Sequence, residues 1–322
     1  MKTQLIISLL ICAFLGCGND TPKSKPVEEQ KPVIQQSPVP AFDGKNAFRY
    51  LTAQTDFGPR APNSAGHRNC LNYLQSEISK YADAVNLQSF TITGYNGEVL
   101  NLANVISSFN LNSTTRILLL AHWDTRPRAD QEKDKKKQQK PILGANDGAS
   151  GVAVLLEIAR HLKSNPPPIG VDILFVDGED YGKERDNKFY SLGARYFAKN
   201  LPPGFTPAFG ILVDMIGDKE LQIFKDRYSL QQAPDVVDLV WKTAAELNIS
   251  EFANEKHQGD IFDDHVPLNQ AGIKTIDLID FDYPDTSNSY WHTLQDTPDK
   301  CSAESLEAVG KVLMHVIYRY QQ

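Results

Sequence analysis

RILLLAHWD, residues 116–124, is an apolar run that ends in His122, Trp123 and Asp124. A short run without polar alternation is typical of a strand whose two faces are both covered by helices. Three later stretches have the same character: VDILFV at 171–176, FGILV at 209–213 and IKTIDLI at 273–279. These four runs predict the strands of one mostly parallel sheet.

Amphipathic stretches separate and follow these runs, as expected of helices that cover a sheet. They span residues 65–81, 149–163, 192–199, 234–247 and 303–320. Ser302 stands directly before the last of them and is a favourable N-cap residue. The alternation of strands and helices predicts an α/β fold, in which residues 41–322 form a single domain with a doubly wound, mostly parallel sheet flanked by helices.

The composition places the chain among globular proteins. It has 322 residues, of which 41% are hydrophobic and 23% are charged, so it has enough apolar side chains for a core. The formal net charge is -7, which disfavours nucleic acid and anionic membrane surfaces as partners. A cationic segment at 126–140 holds seven Lys or Arg against three acidic residues, and this pattern predicts a solvated loop.

The N-terminus has the features of an export signal. An apolar stretch at 5–15 follows a charged start, and Cys17 stands close behind it. The segment resembles a bacterial lipoprotein signal, which implies that residues 1–16 are a signal peptide and that Cys17 carries a lipid; a plain signal peptide with an incidental cysteine is the alternative. The proline-rich residues 17–40 predict a tether. We therefore expect an exported, membrane-anchored lipoprotein that faces the periplasm or the cell surface and meets the membrane only through its lipid.

Two cysteines remain beyond the tether, Cys70 and Cys301. In an oxidising compartment they could form one disulfide, or both could be buried thiols. The sequence has no CxxC pair, so the cysteines do not indicate a metal site.

Polar residues with metal-binding side chains follow the predicted strands. In open α/β sheets, ligands bind beyond the carboxyl ends of the strands. The residues found there are His122, Asp124, Asp177, Glu179, Asp180, Asp214 and His292, and Asp147 lies in the small-residue turn GANDGASG before a predicted helix. Each residue alone could be a packing histidine, a helix cap or a surface acid. Together, two histidines and at least four carboxylates at one sheet edge would repel one another unless a cation is present.

Mixed histidine and carboxylate ligands favour Zn²⁺. A catalytic zinc site also needs a carboxylate that moves a proton without binding the metal. Glu179 and Asp180 are adjacent after a predicted strand, so one can coordinate the metal while the other faces a substrate. The sequence therefore predicts a zinc enzyme.

With these motifs the chain resembles the M28 family of zinc peptidases and, within it, the glutaminyl-peptide cyclotransferases. The likeness extends from FGPR at 57–60 to the final predicted helix. The motifs that carry it are HWD at 122–124, GAND at 144–147, DGED at 177–180, DMIG at 214–217, DDH at 263–265 and WHT at 291–293. The resemblance implies an M28 zinc exopeptidase-like fold and action on the N-terminal residue of peptides or proteins. We expect the enzyme to be a monomer.

The two branches of this family share the scaffold and differ in the metal site. In the cyclases, the resemblance implies one zinc ion held by Asp147, Asp180 and His292. In the dizinc aminopeptidases, it implies two zinc ions, with Asp147 as the bridge and His122 and Asp214 completing the second site. A module that keeps the fold without catalysis is disfavoured, because every ligand is present.

Asp263 in the DDH motif and Trp291 favour the cyclase over the aminopeptidase. The cyclase resemblance implies that an N-terminal Gln is converted to pyroglutamate with release of ammonia. It implies that Glu179 is the general acid and base and that Trp291 packs on the substrate. Asp214 and Asp263 would hydrogen-bond the reacting nitrogen atoms.

Two departures from the animal cyclases concern the pocket. Asp180 stands where the animal enzymes have Glu, so this ligand is one methylene shorter. Arg185 stands where they have a second pocket tryptophan. Trp123, Tyr290 or Phe281 could supply that wall instead, and we predict Trp123 as a second substrate-binding residue.

Overall fold

The computed structural model describes residues 38–183 and 186–320. The predicted signal peptide, Cys17 and the predicted tether before residue 38 lie outside these residues, as does Arg185. Residues 38–40 have no regular secondary structure. Within the described residues, none of the helices combines the length and the apolar character that crossing a membrane requires. The export signal and the lipid anchor therefore stay predictions.

Helices and strands alternate along most of the described chain. The helices are α1 (Gly44–Thr55), α2 (Ala65–Ile78), α3 (Ala149–Ser164), α4 (Leu192–Lys199), α5 (Arg227–Gln232), α6 (Pro234–Glu246), α7 (His265–Gln270) and α8 (Ala303–Arg319). The strands are β1 (Ala84–Thr93), β2 (Val99–Phe109), β3 (Arg116–His122), β4 (Gly170–Val176), β5 (Gly210–Asp214), β6 (Ile223–Lys225), β7 (Phe252–Lys256) and β8 (Thr275–Ile279).

Six of the strands form a central sheet in the order β1-β2-β4-β3-β5-β8. Strands β4, β3, β5 and β8 pair in parallel, whereas β1 pairs antiparallel with β2, and β2 antiparallel with β4. Strands β6 and β7 form a separate parallel pair. The prediction of an α/β fold with a mostly parallel sheet is confirmed, and the four apolar runs form β3, β4, β5 and β8.

Strand β3 shows why the central strands are almost continuously apolar. Ile117, Leu119 and Ala121 pack into the larger core cluster, which also contains residues of α1, α3 and α8. Leu118 and Leu120 pack into a second cluster with residues of α4 and α7. Because successive strand side chains point to opposite faces, helices cover both faces of the sheet. The carboxyl ends of the four parallel strands therefore lie along one open edge.

The predicted helices begin where the sequence indicates. Helices α2, α3, α4, α6 and α8 start at the predicted residues and end within three residues of the predicted ends. At the start of α8, Ser302 Oγ accepts a hydrogen bond of 3.1 Å from the backbone N–H of Ser305. The predicted N-cap is therefore confirmed.

Cys70 and Cys301 are both buried and free. Of the two alternatives left by the sequence, the structure thus has the pair of buried thiols. Burial raises the pKa of Cys70 to about 12. A thiol that does not ionise is a poor nucleophile and a poor metal ligand, so this residue belongs to the core.

Asp280, directly after β8, provides a test of stability against pH. It is 1% exposed, and burial raises its pKa to about 8. A folded-state pKa above the unfolded value means that the unfolding free energy falls as pH rises towards the folded pKa. Asp280→Asn removes this titration, so between pH 6 and 8.5 the variant should gain about 2 to 3 kcal/mol relative to the wild type.

Thermal melts of both proteins across this pH range measure the effect. The matched control is Asp282→Asn, which changes a partly exposed neighbour on the same loop. Parallel pH profiles for wild type and Asp280→Asn would contradict the prediction.

Candidate metal centre and active site

Two histidines and three aspartates meet at the carboxyl edge of the parallel strands. His122 ends β3 and Asp214 ends β5. Asp180 lies in the loop after β4, Asp147 in the turn before α3, and His292 in the segment after β8. All five side chains are buried. The structure therefore brings together all the residues that the resemblance implies as zinc ligands.

These five residues form two groups that share Asp147. In the His122 triad, His122 Nε2 lies 3.2 Å from Asp147 Oδ1 and 3.1 Å from Asp214 Oδ1. In the His292 triad, His292 Nε2 lies 3.5 Å from Asp147 Oδ2 and 3.3 Å from Asp180 Oδ1. Within each triad, the donor atoms lie within 4.8 Å of one another. The two oxygens of Asp147 thus face different triads.

The His292 triad has an unpaired donor atom. Asp180 Oδ2 is buried without a hydrogen-bond partner, and such an oxygen is costly unless a cation binds it. Burial and the charge of Asp180 raise the pKa of Asp147 to about 7, because neighbouring buried carboxylates repel each other when both are ionised. Carboxylate and imidazole donors suit Zn²⁺. The residues of the His292 triad therefore fit a zinc ion.

Asp147 is held by the turn that precedes α3. Asp296 accepts backbone hydrogen bonds from Asn146 at 2.8 Å and from Asp147 at 3.1 Å. Gly148 has a φ of +100°, and a Cβ there would lie 2.5 Å from the Asp124 carbonyl oxygen, so this position requires glycine. The N-cap of α3 is Gly148. The Asp147 carboxylate is therefore not a helix cap and faces both triads.

Asp124 positions the loop after β4. Its two carboxylate oxygens accept backbone hydrogen bonds from Glu179 at 3.0 Å and from Asp180 at 3.3 Å. Asp177, in the same DGED motif, pairs instead with the buried His67, with an N–O distance of 2.9 Å. Asp124 therefore orders the backbone of the loop that carries Glu179 and Asp180, and neither aspartate belongs to a triad.

Glu179 lines the same pocket as the His292 triad but belongs to neither metal-binding group. Burial, followed by the charge of Asp263, raises the pKa of Glu179 well above the usual glutamate range. Burial and the charge of Asp214 raise the pKa of Asp263, which lines the pocket as well, to about 7. Carboxyl groups with raised pKa values hold a proton more readily, which suits them to general acid–base catalysis.

Aromatic side chains form one wall of this pocket. Trp291, Phe281 and Tyr190 line it. The Trp291 ring stacks on His292 with centroids 3.7 Å apart and lies 5.2 Å from the Phe281 ring. The cavity is small, with a volume of about 60 Å³. Trp291 is thus placed to flank a small group that enters the pocket.

Trp123 does not line the pocket, so the prediction that it binds substrate is wrong. Its side chain is fully buried, stacks on His67 with centroids 4.4 Å apart, and donates a hydrogen bond of 3.1 Å to the Ala103 carbonyl oxygen. Because Trp123 directly follows His122, the two side chains point to opposite sides of the sheet. Phe281 is the aromatic residue of the three alternatives that lines the pocket.

Two residues at the site have a left-handed backbone. His292 has a φ of +52°, and Met215, which follows Asp214, has a φ of +50°. Residues other than glycine rarely adopt this region, and such strain is concentrated at functional sites. The His292 carbonyl oxygen accepts a hydrogen bond of 3.3 Å from the backbone N–H of Gln131, which helps to hold the strained residue in place.

Two arginines that order the site were not predicted. Arg126 falls in the segment predicted as a solvated loop, but it is 1% exposed and contacts Asp180, so the prediction is wrong for this residue. Arg60 donates to the carbonyl oxygens of Leu143 at 2.9 Å and Gly144 at 2.6 Å. The FGPR motif indicates Arg60, whereas the sequence signal for Arg126 is only its place two residues after HWD.

The known proteins that are similar to this chain include glutaminyl cyclases and an aminopeptidase. A glutaminyl cyclase of Bacteroides thetaiotaomicron, solved with N-acetylhistamine bound, is 40% identical, with a TM-score of 0.83 over 88% of this chain and 100% of that chain. A leucine aminopeptidase precursor from Bacteroides thetaiotaomicron VPI-5482 is also 40% identical, with a TM-score of 0.83 over 88% of this chain and 99% of that chain. The glutaminyl-peptide cyclotransferase of Bos taurus is 23% identical over 310 residues, which cover 83% of this chain and 81% of the relative.

One family model matches most of the chain. The model of Peptidase family M28 matches residues 104–317, which is well over half of the chain and includes every member of the two triads. The site built by this segment has the carboxylate and imidazole donors of a zinc centre and a separate buried glutamate beside it. The protein is therefore a zinc-dependent enzyme of peptidase family M28.

Proposed function

We propose that the protein is a glutaminyl cyclase, which converts the N-terminal Gln of a peptide or protein to pyroglutamate and releases ammonia. The observation that carries the proposal is that Glu179, Asp263 and Trp291 surround the same small pocket as the His292 triad. The similarity to glutaminyl cyclases of bacteria and mammals supports the same activity.

The His292 triad would hold a single zinc ion. When bound, zinc supplies Lewis acidity towards the side-chain carbonyl group of the substrate. Asp147, Asp180 and His292 come from three different segments, and the loop that carries Asp180 is fixed by the Asp124 carboxylate. Asp180 thus reaches the site although its side chain is one methylene shorter than glutamate.

Glu179 moves the proton of the reaction. It accepts a proton from the substrate α-amine and delivers it to the departing ammonia. A bond forms between the α-nitrogen and Cδ of the same Gln residue, and the bond between Cδ and the side-chain nitrogen breaks, so atoms and protons balance. Asp214 and Asp263 line the same pocket, where they would hydrogen-bond the two nitrogens. Asp263 is the one suited to carry a proton, because burial and the charge of Asp214 raise its pKa to about 7.

Trp291 confines the substrate beside these groups. An intramolecular attack gains rate mainly when the reacting atoms are held close together in the correct orientation. The indole, stacked on His292 and packed near Phe281, is a rigid wall for this purpose.

The test is a peptide that begins with Gln-Leu, incubated with the zinc-loaded protein and followed by mass spectrometry. Loss of ammonia from an otherwise intact peptide is the expected result. Release of free Gln would establish an aminopeptidase instead. An unchanged peptide in the presence of zinc would contradict both enzymatic assignments.

The second candidate function is a dizinc aminopeptidase. One observation favours it: the His122 triad is complete and shares Asp147 with the His292 triad. In the aminopeptidase, Glu179 would activate water for hydrolysis of the first peptide bond. The two triads differ in one respect, because the His292 triad contains a carboxylate oxygen, Asp180 Oδ2, that is buried without a hydrogen-bond partner, and no carboxylate oxygen of Asp147 or Asp214 is in that state.

His122→Ala distinguishes the two metal counts. In the cyclase, we expect one zinc ion per chain in both wild type and variant, since the His122 triad pairs internally. Elemental analysis after dialysis against metal-free buffer measures the ratio, and a thermal melt confirms that the variant is folded. Two zinc ions in the wild type and one in His122→Ala would favour the aminopeptidase.

The proposed cyclase is an exported lipoprotein that works as a monomer on N-terminal Gln peptides or proteins. The features of residues 1–40 support export and lipidation of Cys17. Labelling with a radioactive fatty acid, compared between wild type and Cys17→Ser, tests this part of the proposal.

A further inference from the structure

Arg126 is a buried arginine that contacts two aspartates beside the metal centre. Its side chain is 1% exposed. Nη1 donates to Asp180 Oδ1 at 2.6 Å and to the Asp180 carbonyl oxygen at 3.2 Å. On its other side, Nε and Nη2 donate to the two oxygens of Asp130 at 2.7 Å and 2.6 Å. The guanidinium group thus uses its fork geometry to join two carboxylates.

Asp130 extends this contact to the other end of the His292 triad. Asp130 Oδ1 lies 3.7 Å from His292 Nδ1, which is longer than a hydrogen bond, and this nitrogen is buried without a hydrogen-bond partner. The next residue, Gln131, donates its backbone N–H to the His292 carbonyl oxygen at 3.3 Å. The segment that carries Arg126 and Asp130 is therefore in contact with both Asp180 and His292.

The contact also distinguishes the two oxygens of Asp180. Oδ1 accepts from Arg126 and faces His292, whereas Oδ2 is buried without a partner. A carboxylate with one oxygen held by a guanidinium cannot rotate freely. Oδ2 is therefore the Asp180 oxygen that remains free to bind a metal ion. Groups that hydrogen-bond a metal-ligating side chain and orient it influence the geometry and affinity of the metal site.

We propose that Arg126 is the positioning residue of the metal centre: it fixes the Asp180 carboxylate and, through the segment of Asp130 and Gln131, the backbone of His292. The inference rests on the part of the proposed function that assigns zinc to the His292 triad. It does not depend on which reaction the enzyme catalyses.

Charge and geometry predict opposite results when Arg126 is changed. A positive group next to a cation site opposes metal binding, so loss of its charge alone would tighten zinc binding. If Arg126 instead holds the ligands in place, its loss frees Asp180 and Asp130 and weakens zinc binding. The sign of the change in zinc affinity therefore decides between the two roles.

The experiment measures zinc affinity by competition with a chromophoric chelator for wild type, Arg126→Met and Arg126→Lys. We expect both variants to bind zinc about 10- to 100-fold more weakly. Lysine keeps the charge but cannot join two carboxylates with one ammonium group, so it should not restore affinity. We also expect the visible absorption spectrum of the Co²⁺-substituted protein to change in both variants, because the ligand geometry changes.

Arg116→Lys is the matched control, because Arg116 pairs with Asp172 at 2.8 Å, away from the pocket. Its zinc affinity and Co²⁺ spectrum should equal those of the wild type. Unchanged or tighter zinc binding in Arg126→Met, or full recovery of affinity and spectrum in Arg126→Lys, would overturn the proposal.

Asp130→Asn provides a second arm should Arg126→Met fail to fold. This change weakens the ion pair that ties the segment of Asp130 and Gln131 to Arg126, and it leaves the Arg126–Asp180 pair in place. We expect an altered Co²⁺ spectrum and a smaller loss of zinc affinity, and a wild-type spectrum would overturn the proposal. A failure of the cyclase assay with these zinc results intact would affect only the proposed function.

Discussion

Glu179→Gln is expected to lower kcat for a Gln-Leu peptide by about 10²- to 10⁴-fold, the usual contribution of a general acid–base group, while zinc stays bound. Glutamine has nearly the same shape but cannot accept the amine proton. The backbone of residue 179 is held by Asp124, so the substitution leaves the loop in place. Glu179 belongs to neither triad, and the zinc content should therefore match that of the wild type.

Steady-state kinetics and elemental analysis of the same preparation measure both halves of this prediction. Glu157→Gln is the control for the loss of a buried glutamate. Glu157 lies in α3, is fully buried and pairs with Arg160 and His161, away from the pocket. If Glu179→Gln keeps more than a tenth of wild-type kcat, another group moves the proton; if it loses zinc, Glu179 is a ligand.

The second large effect is expected for His292→Ala, which should bind no zinc at concentrations that saturate the wild type. His292 supplies the only imidazole of its triad, and the two remaining carboxylates would repel each other around a weaker site. Loss of a direct ligand should exceed the roughly 10- to 100-fold cost of losing a group that only orients one. Zinc content and the shift of the melting temperature on adding zinc measure the effect.

Because His292 has a left-handed backbone, alanine and glycine variants at this position can be compared as a matched pair. Both His292→Ala and His292→Gly remove the imidazole, but only glycine relieves the positive φ of +52°. We expect both to lose zinc, and the metal-free glycine variant to be about 1 kcal/mol more stable than the alanine variant. Wild-type zinc content in either variant would show that the His292 triad does not hold the metal.

The sequence predicts the centre of the sheet better than its edge. Strands β3 and β4 are covered on both faces, so their residues are almost continuously apolar and the pattern is unambiguous. Strand β1 lies at the edge, where Leu87 is 44% exposed. Its mixture of polar and apolar residues could equally be a loop, and for this reason β1 and its partner β2 were not predicted.

The same distinction applies to the site. Most residues of the two triads could be predicted because they lie at or beyond the carboxyl ends of parallel strands, and the geometry of the sheet brings such positions together. Asp147 was indicated instead by its small-residue turn before a helix. Arg126 could not, because its burial depends on Asp130 and Asp180, and nothing in a cationic segment indicates which of its charges is buried. Trp123 was misplaced because the prediction did not apply the alternation of side chains along a strand, which puts Trp123 on the opposite side of the sheet from His122.

Asp147 and His292 lie far apart in the chain, because Asp147 follows β3 and His292 follows β8. A partly folded chain that lacks β8 next to β5 cannot bring these ligands together, so it has no complete site for zinc. Zinc can then stabilise only the fully assembled protein. This means that metal loading follows folding, and that bound zinc slows unfolding without guiding the earlier steps by which the sheet is built.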